Sequence, residues 1–168
     1  MRKIVVGVAV IALTILFITP AHAHQPVVLT PTDTSASKGP LLVDGTVSFA
    51  VLAPFTKPNQ TLAFRAGFKK GDTVEIQYLI IDKKPESALK QSDMPVVMII
   101  SPTGKRSVMK INERTKFFEP YTQTNYLYLA RYSTPADKGT YSVVMTSKGP
   151  ASITFAIGSK EIPGKVTR

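Results

Sequence analysis

Cysteine and tryptophan are absent from the 168 residues, and histidine occurs only at His22 and His24. The missing cysteine removes disulfide scaffolds, thiolate metal sites, thiol nucleophiles and a lipoprotein anchor. The scarcity of histidine removes histidine-rich zinc sites and leaves a Ser-His-Asp triad only His24 to use. Acidic groups are also few, 11 against 21 basic ones, for a formal charge of +10. There is no long helical period, internal repeat or low-complexity tract. What is present is a chain 43% apolar and 19% charged, ample for one core and outside the range of disordered chains.

The amino-terminal end reads as an address. Met1-Arg2-Lys3 is basic, Ile4 to Ile18 is uncharged and apolar, and Pro20-Ala21-His22-Ala23 ends in small residues. That order predicts a secretory signal peptide over residues 1–23, cut between Ala23 and His24. The apolar run is shorter than the ~20 residues a membrane-spanning helix needs, so no transmembrane helix is expected in the mature form. Cleavage removes Arg2 and Lys3, leaving 19 basic against 11 acidic groups, a charge of +8, and His24 as the sole histidine. The expected location is periplasmic or secreted, in a bacterial setting where cysteine-free exported proteins are ordinary.

Beyond the cut, residues 24–40 are rich in Pro, Thr and Ser and read as a flexible leader with at most one short strand at Val27 to Leu29. From about Leu41 the period is two, the signature of half-buried strands. Val47, Phe49 and Val51 alternate with polar or small residues, as do Leu62, Phe64 and Ala66, then Val74, Ile76, Tyr78 and Ile80. Lys69-Lys70-Gly71-Asp72 between the last two is suited to a hairpin turn. Asp82 to Met94 reads as a loop carrying one turn. Pro95 to Ile100 is apolar on both faces, predicting a central strand covered on both sides. Ser101-Pro102-Thr103-Gly104 turns the chain into Arg106 to Asn112. After an irregular stretch with Phe117, Phe118 and Tyr121 come strands at Tyr126 to Tyr132, Thr140 to Ser147 and Ala151 to Gly158. About eight strands at short spacing predict an all-β fold: a two-sheet antiparallel β-sandwich, jelly-roll or immunoglobulin-like, over residues 41–160, with residues 161–168 as a tail.

Three segments in order resemble bacterial pre-peptidase C-terminal domains. They are Ser48 to Val51 with Phe68-Lys69-Lys70-Gly71-Asp72-Thr73-Val74, then Pro95 to Gly104, then Thr134 to Val143 with its Gly-x-Tyr-x-Val. The likeness spans about Leu41 to Gly158. It implies a sandwich module that binds, tethers or assists secretion. The paired acidic motif common in that family is reduced here to Asp93, so no acidic calcium-type site is implied. Asp137-x-Gly139-x-Tyr141 is equally similar to the tyrosine corner of immunoglobulin-like sandwiches.

Candidate sites follow from parity and charge. Tyr126, Tyr128 and Tyr132 share one strand parity and Leu127 and Leu129 the other, predicting an aromatic row suited to sugar rings or other flat ligands. Lys105, Arg106, Lys110, Arg114 and Lys116 place five cations in twelve residues. Arg106 and Lys110 share parity as a basic stripe for anionic polymers. Cleavage before His24 would join a free amine to an imidazole, a chelate for copper, although no second histidine could complete the site. The carboxylates show no suggestive pairing, and no nucleic-acid module is visible.

The sequence therefore predicts an exported, non-catalytic module with no cofactor, docking an anionic cell-envelope polymer, a polysaccharide or another exported protein. The alternatives are a periplasmic copper-binding protein using His24 and a carboxylate-based hydrolase.

Overall fold

The computed structural model describes residues 24–168, so the expected signal peptide, with Ala23, lies outside the described residues. Its twelve strands are β1 (Gln25–Val28), β2 (Leu41–Leu42), β3 (Phe49–Phe55), β4 (Thr61–Phe68), β5 (Thr73–Ile81) and β6 (Val96–Ile100), then β7 (Arg106–Val108), β8 (Thr115–Glu119), β9 (Thr124–Pro135), β10 (Gly139–Thr146), β11 (Ala151–Ile157) and β12 (Val166–Thr167). They form two six-stranded sheets, ordered β1-β3-β11-β5-β9-β8 and β12-β2-β4-β10-β6-β7. The expected all-β sandwich is what the chain forms.

The eight strands expected from the alternation are β3 to β7 and β9 to β11. They pair first with last: β3 with β11, β4 with β10, β5 with β9 and β6 with β7, all antiparallel. The chain behaves as one long hairpin rolled so that successive pairs fall in alternate sheets, the jelly-roll form of the sandwich. Its closed end is the Ser101–Gly104 turn, where Gly104 donates its amide to the Ser101 carbonyl at 2.9 Å. Gly104 has φ +83°, a left-handed conformation that glycine adopts without a Cβ penalty.

The core lies between the inner faces. Tyr78 stacks on Phe155 with centroids 5.4 Å apart, and Phe155 meets Phe64 of the other sheet at 5.8 Å. All three are fully buried, and burial of a large apolar side chain contributes roughly 1.5–3 kcal/mol. The Tyr78 hydroxyl donates to the Pro95 carbonyl at 3.2 Å, which meets the polar requirement of a buried phenol.

Several local expectations are corrected. The Lys69–Asp72 connection is not a hairpin turn, because β4 and β5 belong to different sheets and the segment carries the chain across the end of the sandwich. β6 is covered on one side only: Val97 and Ile99 face the core, whereas Val96 is 41% exposed. The loop over Asp82 to Met94 holds two short 3₁₀ turns, Glu86–Ala88 and Gln91–Asp93. β7 ends at Val108, short of Asn112, and the irregular stretch around Phe117 is strand β8, which pairs with the start of β9.

The segment read as leader carries β1, overlapping the short strand expected at Val27 to Leu29, the segment read as tail carries β12, and β2 opens the expected domain. β1 runs parallel to β3, β2 runs parallel to β4, and β12 pairs with β2. Leu29 and Asp33 are each 1% exposed. Arg168 bonds both oxygens of Asp33, at 2.8 and 2.9 Å, and the Val28 carbonyl. These contacts join the two ends of the described chain, which no local pattern in either segment signals.

Candidate docking surface

β9 places the tyrosines, and a β-bulge decides which way they point. Tyr78 pairs with Ala130 but Leu79 pairs with Tyr128, so Leu129 is an extra residue with no partner on β5. The Leu129 carbonyl instead accepts the amides of Asn112 and Glu113, at 3.0 and 3.3 Å. One extra residue inverts the parity beyond it. Tyr132 lies opposite core residue Ile76 and packs against the core, while Tyr128 and Tyr126 lie opposite Leu79 and Ile81 on the outer face. The expected row of three is therefore a pair plus a core-facing residue.

The outer-face pair belongs to a larger cluster. Phe117 of β8 packs on Tyr128 with centroids 5.3 Å apart, and the Arg131 guanidinium lies 4.0 Å over the Tyr128 ring. Arg131 also pairs with Glu113, Nε to Oε1 at 2.9 Å. The Thr115 hydroxyl, and then Arg131, hold the Glu113 carboxyl below the usual carboxylate range. Burial raises the Tyr128 hydroxyl above its ordinary value, and Arg131 opposes that rise. At the hairpin tip, Glu119 accepts the amides of Tyr121 and Thr122 at 2.9 and 2.6 Å, rigidifying the turn. Phe118 and Tyr121 beside it are each 54% exposed. Sequence reasoning missed Phe117, Phe118, Arg131 and Glu113; a signal was available in the five aromatics that fall between residues 117 and 128.

The cations do not form a stripe along one strand. Arg106 stands opposite Ile100 on the outer face of the second sheet, away from the tyrosines, and Lys110 lies beyond the end of β7. Residues 109 to 113 cross from the Val97 carbonyl of the second sheet to the Leu129 carbonyl of the first. They carry Lys110 along one lateral edge of the sandwich, with Arg106 at one end and Lys116 on β8 at the other. Arg114 is anchored there, donating to the carbonyls of Ser87 and Leu89 at 3.2 and 2.9 Å. A basic edge thus adjoins the aromatic hairpin through Lys116 and Arg114, while Arg106 faces elsewhere.

His24 is partly buried, with Nδ1 hydrogen-bonded to the Ser48 hydroxyl. Burial lowers its pKa, against the opposing pull of Glu119 and Glu161. No group of three or more His, Cys, Asp or Glu suited to a metal ion occurs among the described residues. Asp137, Gly139 and Tyr141 form a tyrosine corner. The Asp137 amide donates to the Tyr141 hydroxyl at 3.0 Å, and the Tyr141 ring meets Phe68 edge-on at 5.4 Å. Gly139 has φ +140°, and a Cβ there would lie 2.8 Å from Cβ of Pro102, so no other residue fits without rearrangement. A shallow cleft of about 380 Å³ opens nearby between Val43, Phe68, Lys69 and Lys138. Its two carboxylates serve their own turns, Asp44 accepting from Thr46 and Asp72 from the Lys69 amide.

The class that these observations define is a jelly-roll β-sandwich protein with an aromatic hairpin at one edge. No family model matches the chain, and no curated protein matches it. No described helix is long and apolar enough to cross a membrane.

Proposed function

We propose that the chain is an exported, non-catalytic binding module of the bacterial cell envelope, docking an anionic polymer or glycan through the β8–β9 hairpin. The observation that carries this reading is the cluster of Phe117, Tyr126, Tyr128 and Arg131 on the outer face, with exposed Phe118 and Lys116 on the opposite side of the same hairpin. Aromatic rings present flat amphipathic surface to sugar rings, and uncompensated cations attract polyanions. The order of Gly-Asp-x-Val, the Pro-x-Gly turn and Gly-x-Tyr-x-Val supports kinship with pre-peptidase C-terminal modules. Residues 1–23 support export and a periplasmic or secreted location. The residue types needed for nucleophilic or metal chemistry are scarce, and the carboxylates described above serve turns and ion pairs, which favours binding over catalysis.

The experiment is retention of residues 24–168 on purified envelope polysaccharide and wall polyanion, at low and high salt. Tyr128→Ala combined with Tyr126→Ala is expected to cut retention at least tenfold while the protein stays folded. Retention of the double variant equal to that of the parent would overturn the reading.

A further inference from the structure

The terminal strands of the two sheets are not protected alike. β12 and β7 are only two and three residues long. β1 has its outer side tied down, its Gln25 side chain accepting the Gly164 amide and its Val28 carbonyl accepting from Arg168. These are ordinary ways of blunting a sheet edge. β8 is different: five residues long, it pairs with β9 alone, and its second edge meets no strand among the described residues. A row of backbone donors and acceptors on such an edge is a template for another strand.

The side chains say what that strand would be. Lys116 and Phe118, two residues apart, share one side of β8, and both are exposed, Phe118 at 54%. Two of the nearby carboxylates are engaged, Glu113 by Arg131 and Glu119 by its own turn. Lys110, Arg114 and Lys116 therefore leave a positive field along the edge. The charge of +8 on residues 24–168 opposes pairing with a second copy and favours an acidic partner.

We propose that the edge of β8 that no described strand covers accepts one further strand by β-addition. The occupant is an extended acidic segment of another exported protein, with Phe118 as the apolar anchor and Lys116 facing its carboxylates. This goes beyond polymer docking, which uses the outer-face side chains of Tyr126, Tyr128 and Arg131; here the backbone of β8 does the binding.

The test uses residues 24–168 with two capped eight-residue peptides, one repeating Thr-Val-Thr-Glu and the other Thr-Val-Thr-Lys, so that one strand face carries valine and charge two residues apart. Binding is followed by calorimetry, and amide hydrogen exchange is read at residues 115–119. The acidic peptide is expected to bind, to slow exchange of the edge-facing β8 amides at least tenfold, and to weaken as salt rises. Lys116→Glu should lose the acidic peptide and gain the basic one, and Phe118→Ser should weaken both complexes. Equal affinity for the two peptides, no binding, or binding that leaves the β8 amides unprotected would overturn the proposal. Protection of the same amides by self-association or by polysaccharide would also overturn it, assigning the edge to a second copy or to the polymer. Polymer retention by the Tyr128→Ala variant is scored separately, so failure of one reading is not failure of the other.

Discussion

Arg168 grips the buried carboxylate of Asp33 with Nη1 at 2.8 and 2.9 Å from its two oxygens, across 135 residues of chain. The same carboxylate accepts the Thr30 amide at 2.7 Å and the Thr30 hydroxyl. It thereby ties the segment after β1 to the segment after β12. Arg168→Ala leaves a buried carboxylate without its cation, and a hydrogen bond to a charged group contributes about 1.5–3 kcal/mol. Urea unfolding should show a loss of about 2 kcal/mol, with faster amide exchange in β1 and β12. An unchanged midpoint would mean that the pair contributes nothing.

Tyr141→Phe tests the tyrosine corner. The variant keeps the edge-on contact with Phe68 and removes only the acceptor of the Asp137 amide. Leaving a donor unpaired costs about 1–3 kcal/mol, so the urea midpoint should fall with the slope unchanged.

The bulge at Leu129 makes two tyrosines of one strand respond differently. Tyr132→Ala should destabilise the fold by about 2 kcal/mol, since it truncates a ring packed against the core. Tyr126→Ala, on the outer face, should leave the midpoint nearly unchanged and lower polymer retention. Equal destabilisation by the two would contradict the register.

Tyr78 sets an alkaline limit. Burial pushes its hydroxyl far above the ordinary value of 10.0. The folded state therefore holds the proton where the unfolded chain releases it, and stability is complete below pH 10 and declines as pH rises above it. Tyr78→Phe should flatten that decline while losing the bond to Pro95, as read from unfolding curves between neutral and alkaline pH.

His24 works in the acid direction. Its folded pKa lies below the ordinary 6.5 because burial disfavours the charged ring, against Glu119 and Glu161. The unfolded chain then binds more protons just below pH 6.5, so this contribution to stability is present above that value and fades as pH falls through the folded pKa. As the only histidine of residues 24–168, it gives a single pair of ring C–H resonances whose shared titration midpoint should fall below 6.5. A midpoint at or above 6.5 would place the ring in solvent.

How much could be read in advance depends on the range of the interactions. Alternation of apolar and polar residues is local, so the eight central strands, the Ser101–Gly104 turn and the tyrosine corner were legible as text. Strands β2, β8 and β12 were not, and β1 was legible only as one short strand at Val27 to Leu29, since segments of two to five residues acquire strand geometry mainly from the partner they lie against. The aromatic site was half legible: Tyr126 and Tyr128 were found, but Phe117 and Arg131 join them only through pairing and stacking.

By composition and order alone, the sequence determined that the chemistry is narrow, with no thiol and one histidine beyond residue 23, and that the domain is a basic β-sandwich. Tertiary structure decided which way each side chain faces. A single unpaired residue, Leu129, reverses the parity of β9, because strand faces alternate every residue and a bulge shifts the count by one. Tertiary structure likewise decided that β8 ends its sheet among the described residues, a property of strand order that no stretch of sequence contains.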